Sequence, residues 1–175
     1  MAGLSFLGSG VGTLSGLLYT GILSDRSIKS AIKSGRAPRP EDRLPLSIIF
    51  PAALCIPAGL FVYGWGADKR VHWIVPEIGT VLTGFGMIGI VMCVQTYLVD
   101  AFTIHAASVI AASAVLRSLF GALFPLFGLR LYNKLGLGWG NSLLGFLALA
   151  LAPVPLGFRL FGERIRTNPR WQAKF

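Results

Sequence analysis

The sequence predicts an all-α integral membrane protein with about five transmembrane helices. Of its 175 residues, 54% are hydrophobic and 13% are charged, about half the charged share of a typical soluble domain. The charges lie between long uncharged runs, and each run provides the roughly 20 helical residues that a bilayer core requires. A soluble domain of this length could not bury five helices that are apolar on every side, which excludes that class.

The five apolar runs predict a single transmembrane domain over residues 1–175. In hydrocarbon each segment must satisfy its own backbone hydrogen bonds, so the runs are expected to be helices rather than strands. The predicted spans are residues 3–24, 44–66, 75–99, 106–130 and 136–160. A loop of residues 24–45 and a tail of residues 161–175 complete the chain. No basic residue precedes the first run, which therefore resembles an uncleaved span more than a signal peptide.

The distribution of basic residues predicts the orientation. The loop 24–45 and the C-terminal tail lie on the same side of five spans, and together they carry eleven of the sixteen Lys and Arg residues. The loops on the other side carry four, and Trp65, Trp73 and Trp139 flank those loops. By the positive-inside rule the loop and the tail are cytoplasmic, and the N-terminus is outside.

Three glycines in the first span predict close helix packing. Gly8, Gly12 and Gly16 recur every four residues and therefore share one face of a helix. Small residues in this pattern let two membrane helices approach closely. The ridge could serve static packing, or it could be a sliding surface against a moving helix.

Four polar residues inside or near the spans are candidates for function. Arg117 lies about twelve residues from each end of its run, near the bilayer midplane. An arginine at this depth is costly and is expected to face the bundle interior, against carbonyls, water, an anionic substrate or another chain. Gln95 and Tyr97 offer hydrogen bonds at the cytoplasmic end of the third span. Glu77 is expected to be a first-turn acid, with a protonation role as the alternative.

The sequence contains no recognisable catalytic set. It shows no nucleophile with a base, no phosphate-binding loop and no cluster of metal ligands, so no enzymatic activity, cofactor or metal is expected. Cys55 and Cys93 lie inside apolar runs and are predicted to be small buried hydrophobes. The net charge of +9 comes from loops beside spans, which indicates contact with lipid headgroups rather than nucleic acid.

Four stretches together resemble one transporter family. They are Gly21-x-x-x-Asp25-Arg26, residues 40–45 (Pro-Glu-Asp-Arg-Leu-Pro), residues 97–101 (Tyr-Leu-Val-Asp-Ala) and residues 117–127 (Arg-Ser-Leu-Phe-Gly-Ala-Leu-Phe-Pro-Leu-Phe). The set resembles the major facilitator superfamily, in particular its fungal drug:proton antiporters with twelve spans. The resemblance covers nearly the whole chain and implies spans eight to twelve, an incomplete C-terminal half of the fold.

The resemblance implies proton-coupled export of a drug or metabolite by alternating access. Gly21, Asp25 and Arg26 would then form a cytoplasmic gate with Glu41 and Arg43, while Arg117 would lie inside the C-terminal half. The chain departs from the pattern at residues 27–29 (Ser-Ile-Lys), where the family's loop motif continues with basic residues. It also lacks counterparts of the first seven spans, so a truncated chain that supplies at most one wall of the site is expected.

Three functions follow as hypotheses. The first is a truncated efflux transporter that is inactive alone or completed by another transporter chain. The second is a regulatory half-bundle that binds another transporter through the glycine ridge. The third is a membrane-embedded biosynthetic accessory or enzyme. The expected partners are the bilayer and a small organic substrate, and the expected location is the plasma membrane, with the vacuolar membrane as the alternative.

Overall fold

A computed structural model describes residues 5–33, 35, 45–154 and 157. The helices are α1 (Ser5–Lys33), α2 (Leu46–Asp68), α3 (Ile74–Ala101) and α4 (Ala106–Leu151), with a 3₁₀ turn at Thr103–His105. The described ranges contain no β-strand. All four helices are long and apolar enough to cross a membrane, which agrees with the predicted class.

Helix α3 lies in the centre and packs against α1 on one side and α2 on the other. Helices α1 and α3 are parallel, because Gly8 lies against Glu77 and Gly12 against Val81, a constant separation of 69 residues. Helices α2 and α3 are antiparallel and joined by residues 69–73. Gly59 approaches the Gly79 carbonyl near one end of this pair, and Ala52 contacts Gly86 farther along it.

The two ends of the bundle differ in chemistry. At one end α1 and α3 finish and α2 begins; this end carries Arg26, Lys29 and Lys33 of α1 and is called the basic end. The opposite end, called the tryptophan end, carries Trp65 and Trp73 together with the exposed Lys69 and Arg70. The largest buried side chains, Ile48, Ile49 and Cys93, form a cluster with Tyr97 toward the basic end. Cys93 is thus a buried hydrophobe, as predicted, whereas Cys55 is only half-buried.

Helix α1 extends farther than the sequence predicts. Residues 24–33 were expected in a loop, but they continue the helix to Lys33. No proline or glycine interrupts this stretch, so nothing in it opposes helical backbone conformation. The helix closes at Gly35, whose φ of +72° is one that glycine adopts readily, and whose N–H donates to the Ile32 carbonyl at 3.0 Å.

Helix α4 contains two segments separated by a break at Gly136. Gly136 has φ 75° and ψ 174°, a conformation that is almost restricted to glycine. A straight helix of 46 residues would be about 69 Å long, over twice the thickness of a bilayer core. The ring of Tyr132 lies against Gly140, although residues eight apart in a straight helix are separated by about 12 Å. The chain therefore turns sharply here, between segments 106–135 and 137–151.

The two segments of α4 have different surroundings. The C-terminal segment carries a row of small or polar residues, all buried: Gly138, Gly140, Asn141, Ser142 and Gly145. All of them except Gly140, which lies against Tyr132, contact α2. In the N-terminal segment every residue from 115 to 127 is exposed. The two segments fall at the positions of the last two predicted spans, residues 106–130 and 136–160, which are continuous here as one helix with a sharp turn.

Candidate functional site

The glycine ridge of α1 lies directly on the backbone of α3. A Cβ atom on Gly12 would be 2.9 Å from the Val81 Cα, and one on Gly16 would be 2.7 Å from the Phe85 carbonyl oxygen. Both distances are far below an ordinary van der Waals contact. The close approach of α1 and α3 therefore depends on the absence of a side chain at these positions.

The ridge continues as two hydroxyl residues that the sequence analysis did not select. Thr20 and Ser24 keep the four-residue spacing and are 3% and 7% exposed. Within the described ranges neither side-chain oxygen has a hydrogen-bond partner. The signal was present in the sequence, because residues 8, 12, 16, 20 and 24 are all small.

Glu77 joins the first turns of two helices. It lies in the first turn of α3, as predicted, and its Oε1 also accepts a hydrogen bond of 2.5 Å from the Gly8 N–H near the start of α1. The N-termini of both helices carry partial positive charge, which favours a carboxylate between them. Glu77 therefore holds α1 against α3 at the tryptophan end.

The predicted gate residues are not brought together within the described ranges. Asp25 and Arg26 are exposed on α1, while Glu41 and Arg43 lie outside the described residues. A Cβ atom on Gly21 would meet no described atom within 4 Å, so Gly21 has no packing role there.

The remaining two residues at the basic end differ in burial. Tyr97 is buried in the core cluster with Ile48, Ile49 and Cys93, and Gln95 is half-buried on the same helix. Tyr97 is therefore part of the core of the described bundle, and its role as a hydrogen-bonding group at the cytoplasmic end stays a prediction.

Arg117 does not face the described helices, so its predicted place in a bundle interior stays a prediction. It is exposed, and so are its neighbours Leu116, Leu119 and Phe120 on the same segment of α4. The reason is that segment 115–127 leaves the three packed helices, so the described part of the chain supplies nothing to cover it. Groups beyond the described residues are therefore needed to shield the Arg117 charge from lipid.

A polar cluster at the α2–α4 contact was also missed by the sequence analysis. Asn141, 2% exposed, accepts a hydrogen bond from the Tyr132 hydroxyl at 3.1 Å and donates to the Leu137 carbonyl at 2.9 Å. The Trp65 indole N–H donates to the Ser142 hydroxyl at 3.1 Å. The sequence does contain a signal for this contact, namely adjacent Asn and Ser residues in an apolar run. Polar residues in membrane helices commonly form hydrogen bonds to neighbouring helices.

An apolar cavity of about 390 Å³ lies between α2, α3 and the end of α4. Its lining is entirely aliphatic: Ala53, Ile56, Ile90, Val94, Ala148, Leu151, Ala152 and Val154. The cavity can hold hydrocarbon, but none of its lining side chains can recognise a charge or donate a hydrogen bond.

The chain is similar to several fungal transporters. It is 54% identical to the MFS-type transporter penM of Penicillium rubens over 173 residues, which is 99% of this chain and 34% of the relative. It is 54% identical to the MFS-type transporter tndD of Aspergillus flavipes, over 94% of this chain and 31% of the relative. It is 45% identical to the efflux pump radE of Floropilus chiversii, over 99% and 32% respectively.

The similarity is therefore high but covers only part of each relative. The chain spans about a third of the length of the curated relatives it matches. No protein-family model and no solved structure matches the chain. The identities of 45–54% nevertheless extend over nearly all of its residues, and they agree with the apolar helical fold. The chain thus belongs to the major facilitator superfamily (MFS) of membrane transporters.

Proposed function

We propose that this chain is one part of a proton-coupled exporter of small organic compounds, of the drug:proton antiporter type. It forms one wall of the transport path, and helices outside this chain form the rest. The observation that carries the proposal is the exposure of Arg117 on segment 115–127 of α4. The names of the relatives, which include an efflux pump, supply the direction of transport.

The physical argument concerns the surroundings of Arg117. A charged arginine near the bilayer midplane costs several kcal/mol unless it faces protein, water or a partner. In the described ranges no residue covers segment 115–127, and the relatives are about three times as long as this chain. Additional helices of the kind present in the relatives would enclose Arg117 and place it beside the path. The chain alone would therefore not transport.

The transport test compares the chain alone with a complemented chain. The purified chain is reconstituted in liposomes with an imposed pH gradient, and ethidium movement is followed by fluorescence. The same assay is run after co-expression with the part of penM that has no counterpart here. We expect movement only in the complemented sample, and ethidium transport by the chain alone would contradict the proposal of an incomplete machine.

The exposed segment also favours a second function, a regulatory half-bundle for a complete transporter. The two functions differ in what the chain does to its partner. A regulatory half-bundle would bind full-length penM and change its rate of export, whereas a structural part would restore export only when the corresponding third of penM is absent. Co-expression with full-length and shortened penM separates these outcomes.

We further propose that the basic end is cytoplasmic and that the protein lies in the plasma membrane. The sequence supports this orientation, because residues 24–45 and the C-terminal tail together carry eleven of the sixteen Lys and Arg residues. Single cysteines at Ser30 and Val71, both exposed, test it in a background with alanine at Cys55 and Cys93. In intact cells an impermeant thiol reagent should label position 71 and not position 30, and labelling of position 30 would reverse the orientation.

A further inference from the structure

We propose that the last turns of α1 bind the headgroups of anionic phospholipids through a basic face formed by Arg26, Lys29 and Lys33. All three side chains are exposed. Their spacing of three and four residues places them on one side of the helix. In the loop that the sequence pattern predicts here, these residues would have had no common face.

The rest of the helix circumference shows that the basic face points away from the bundle. Ser24 and Ala31, which lie on the other side of the same turns, are 7% and 6% exposed. Asp25 is exposed on the same side of the helix, about 40° around it from Lys29, so this side of α1 carries three basic residues and one acid. Its formal charge is therefore about +2, which still favours an anionic headgroup over a zwitterionic one.

The basic face continues a lipid-facing apolar stripe. Leu14, Leu18 and Ile22 are exposed and precede Arg26 by multiples of four residues, so they line the same side of α1. The stripe changes from aliphatic to cationic within one turn, between Ile22 and Arg26. This change matches the boundary between acyl chains and headgroups.

A phospholipid satisfies both parts of the stripe. Its acyl chains contact the aliphatic residues, and its phosphate lies at the level of the cationic ones. A soluble anion would use only the basic part, and a protein helix would have to match an apolar and a basic stretch in the same register. Each Lys or Arg near the membrane surface raises the affinity for anionic headgroups by about five-fold.

The test measures lipid selectivity beside α1. A fluorophore is attached to a cysteine at Ser30, in the background with alanine at Cys55 and Cys93. The chain is placed in phosphatidylcholine vesicles containing a minority of phosphatidylserine. Energy transfer to labelled phosphatidylserine is compared with transfer to equally labelled phosphatidylcholine. We expect preferential transfer to phosphatidylserine, and equal transfer to the two lipids would overturn the proposal.

Three variants give the result its specificity. The R26Q/K29Q/K33Q variant should show equal energy transfer to phosphatidylserine and phosphatidylcholine. The charge-preserving R26K/K29R/K33R variant should keep the preference for phosphatidylserine. A matched variant with glutamine at Lys69, Arg70 and Lys134, all exposed and outside this face, removes the same charge and should also keep it. Parity in either of the last two variants would contradict a role for the basic face itself.

The lipid measurement also separates this proposal from a protein-binding face and from the proposed transport function. If the glutamine variant kept the phosphatidylserine preference but lost co-purification with the remainder of penM, the face would bind protein and the proposal would be wrong. The readout needs no transport and uses vesicles with the same lipids in both leaflets. It therefore does not depend on the transport function or on the orientation of the chain, although assignment to the cytoplasmic leaflet rests on the proposed orientation.

Discussion

The backbone N–H of Gly8 in α1 donates a hydrogen bond of 2.5 Å to the carboxylate of Glu77 in α3. Because Glu77 also lies in the first turn of its own helix, one carboxylate interacts with the positive ends of two parallel helices. Parallel neighbours repel each other weakly through their dipoles, and an anion shared between their N-termini offsets this repulsion. The contact thus has an electrostatic function at one end and a steric one along the glycine ridge.

Replacing Glu77 tests the shared carboxylate. Glu77→Ala should lower the free energy of unfolding by about 1–2 kcal/mol, because it removes both the hydrogen bond and the charge. Glu77→Gln keeps an acceptor oxygen and should cost about half as much. Denaturant titration of the purified chain in detergent micelles measures both variants. An alanine variant as stable as the wild type would show that the hydrogen bond contributes nothing.

The glycine ridge provides a matched pair of variants. Gly12→Ala places a methyl group against the Val81 backbone and should destabilise the chain by about 1–3 kcal/mol. Gly10→Ala is two residues away, and its Cβ would meet no described atom within 4 Å. It should be neutral or stabilising by up to about 1 kcal/mol, since alanine favours helix. Equal effects of the two substitutions in the same titration would contradict direct α1–α3 backbone contact.

The break in α4 predicts a glycine requirement at one position. Gly136→Ala forces a side chain into a conformation with φ 75° and ψ 174° and should cost about 1–3 kcal/mol. Gly121→Ala is the control, since a Cβ there has open space among the described residues. Thermal unfolding followed by circular dichroism compares them. If Gly136→Ala unfolded at the same temperature as the control, the turn would not depend on glycine.

The hydrogen bond from Tyr132 to Asn141 should stabilise the turn across that break. We expect a coupling free energy of about 0.5–1.5 kcal/mol between Tyr132→Phe and Asn141→Ala in a double-mutant cycle. The four unfolding free energies come from denaturant titration of the wild type, the two single variants and the double variant. Additive losses would mean that the two side chains stabilise α4 independently.

Arg117 should matter for assembly more than for the stability of the isolated chain. Arg117→Leu removes an exposed charge from segment 115–127, so the lone chain should be equally stable or more stable in lipid. Co-purification with the remainder of penM should fall, because the proposed interface loses the positive charge of Arg117. Arg130→Leu is the control, because Arg130 is also exposed and lies three residues beyond this segment. Equal co-purification of the two variants would remove Arg117 from the interface.

The sequence predicted those features that depend on a single segment. The apolar runs located the helices, because the thickness of the bilayer fixes the length of each span. The glycine spacing identified the face of α1 that packs. The partner of that face could not be predicted, because the pairing of Gly8 with Glu77 depends on the relative positions of two helices that are 69 residues apart.

Other features escaped prediction for local reasons. The loop predicted from residue 24 is helical to Lys33, because polarity marks where a chain leaves the hydrocarbon and not where its helix ends. The surroundings of Arg117 depend on helices beyond the described residues, so its place in an interior stays a prediction. The buried pair Asn141 and Ser142 was overlooked because hydroxyl and amide groups carry no charge and do not interrupt an apolar run.

The separation of 69 residues between the paired positions of α1 and α3 has a consequence for biosynthesis. At about 5–20 residues per second, a ribosome needs roughly 3–14 s to add the Glu77 end of the contact after the Gly8 end. During that interval the glycine ridge has no α3 to pack against, while α2 is made and inserted. The close contact of α1 with α3 therefore forms only after α2 has been made, and the glycine ridge stays open to lipid until α3 enters the membrane.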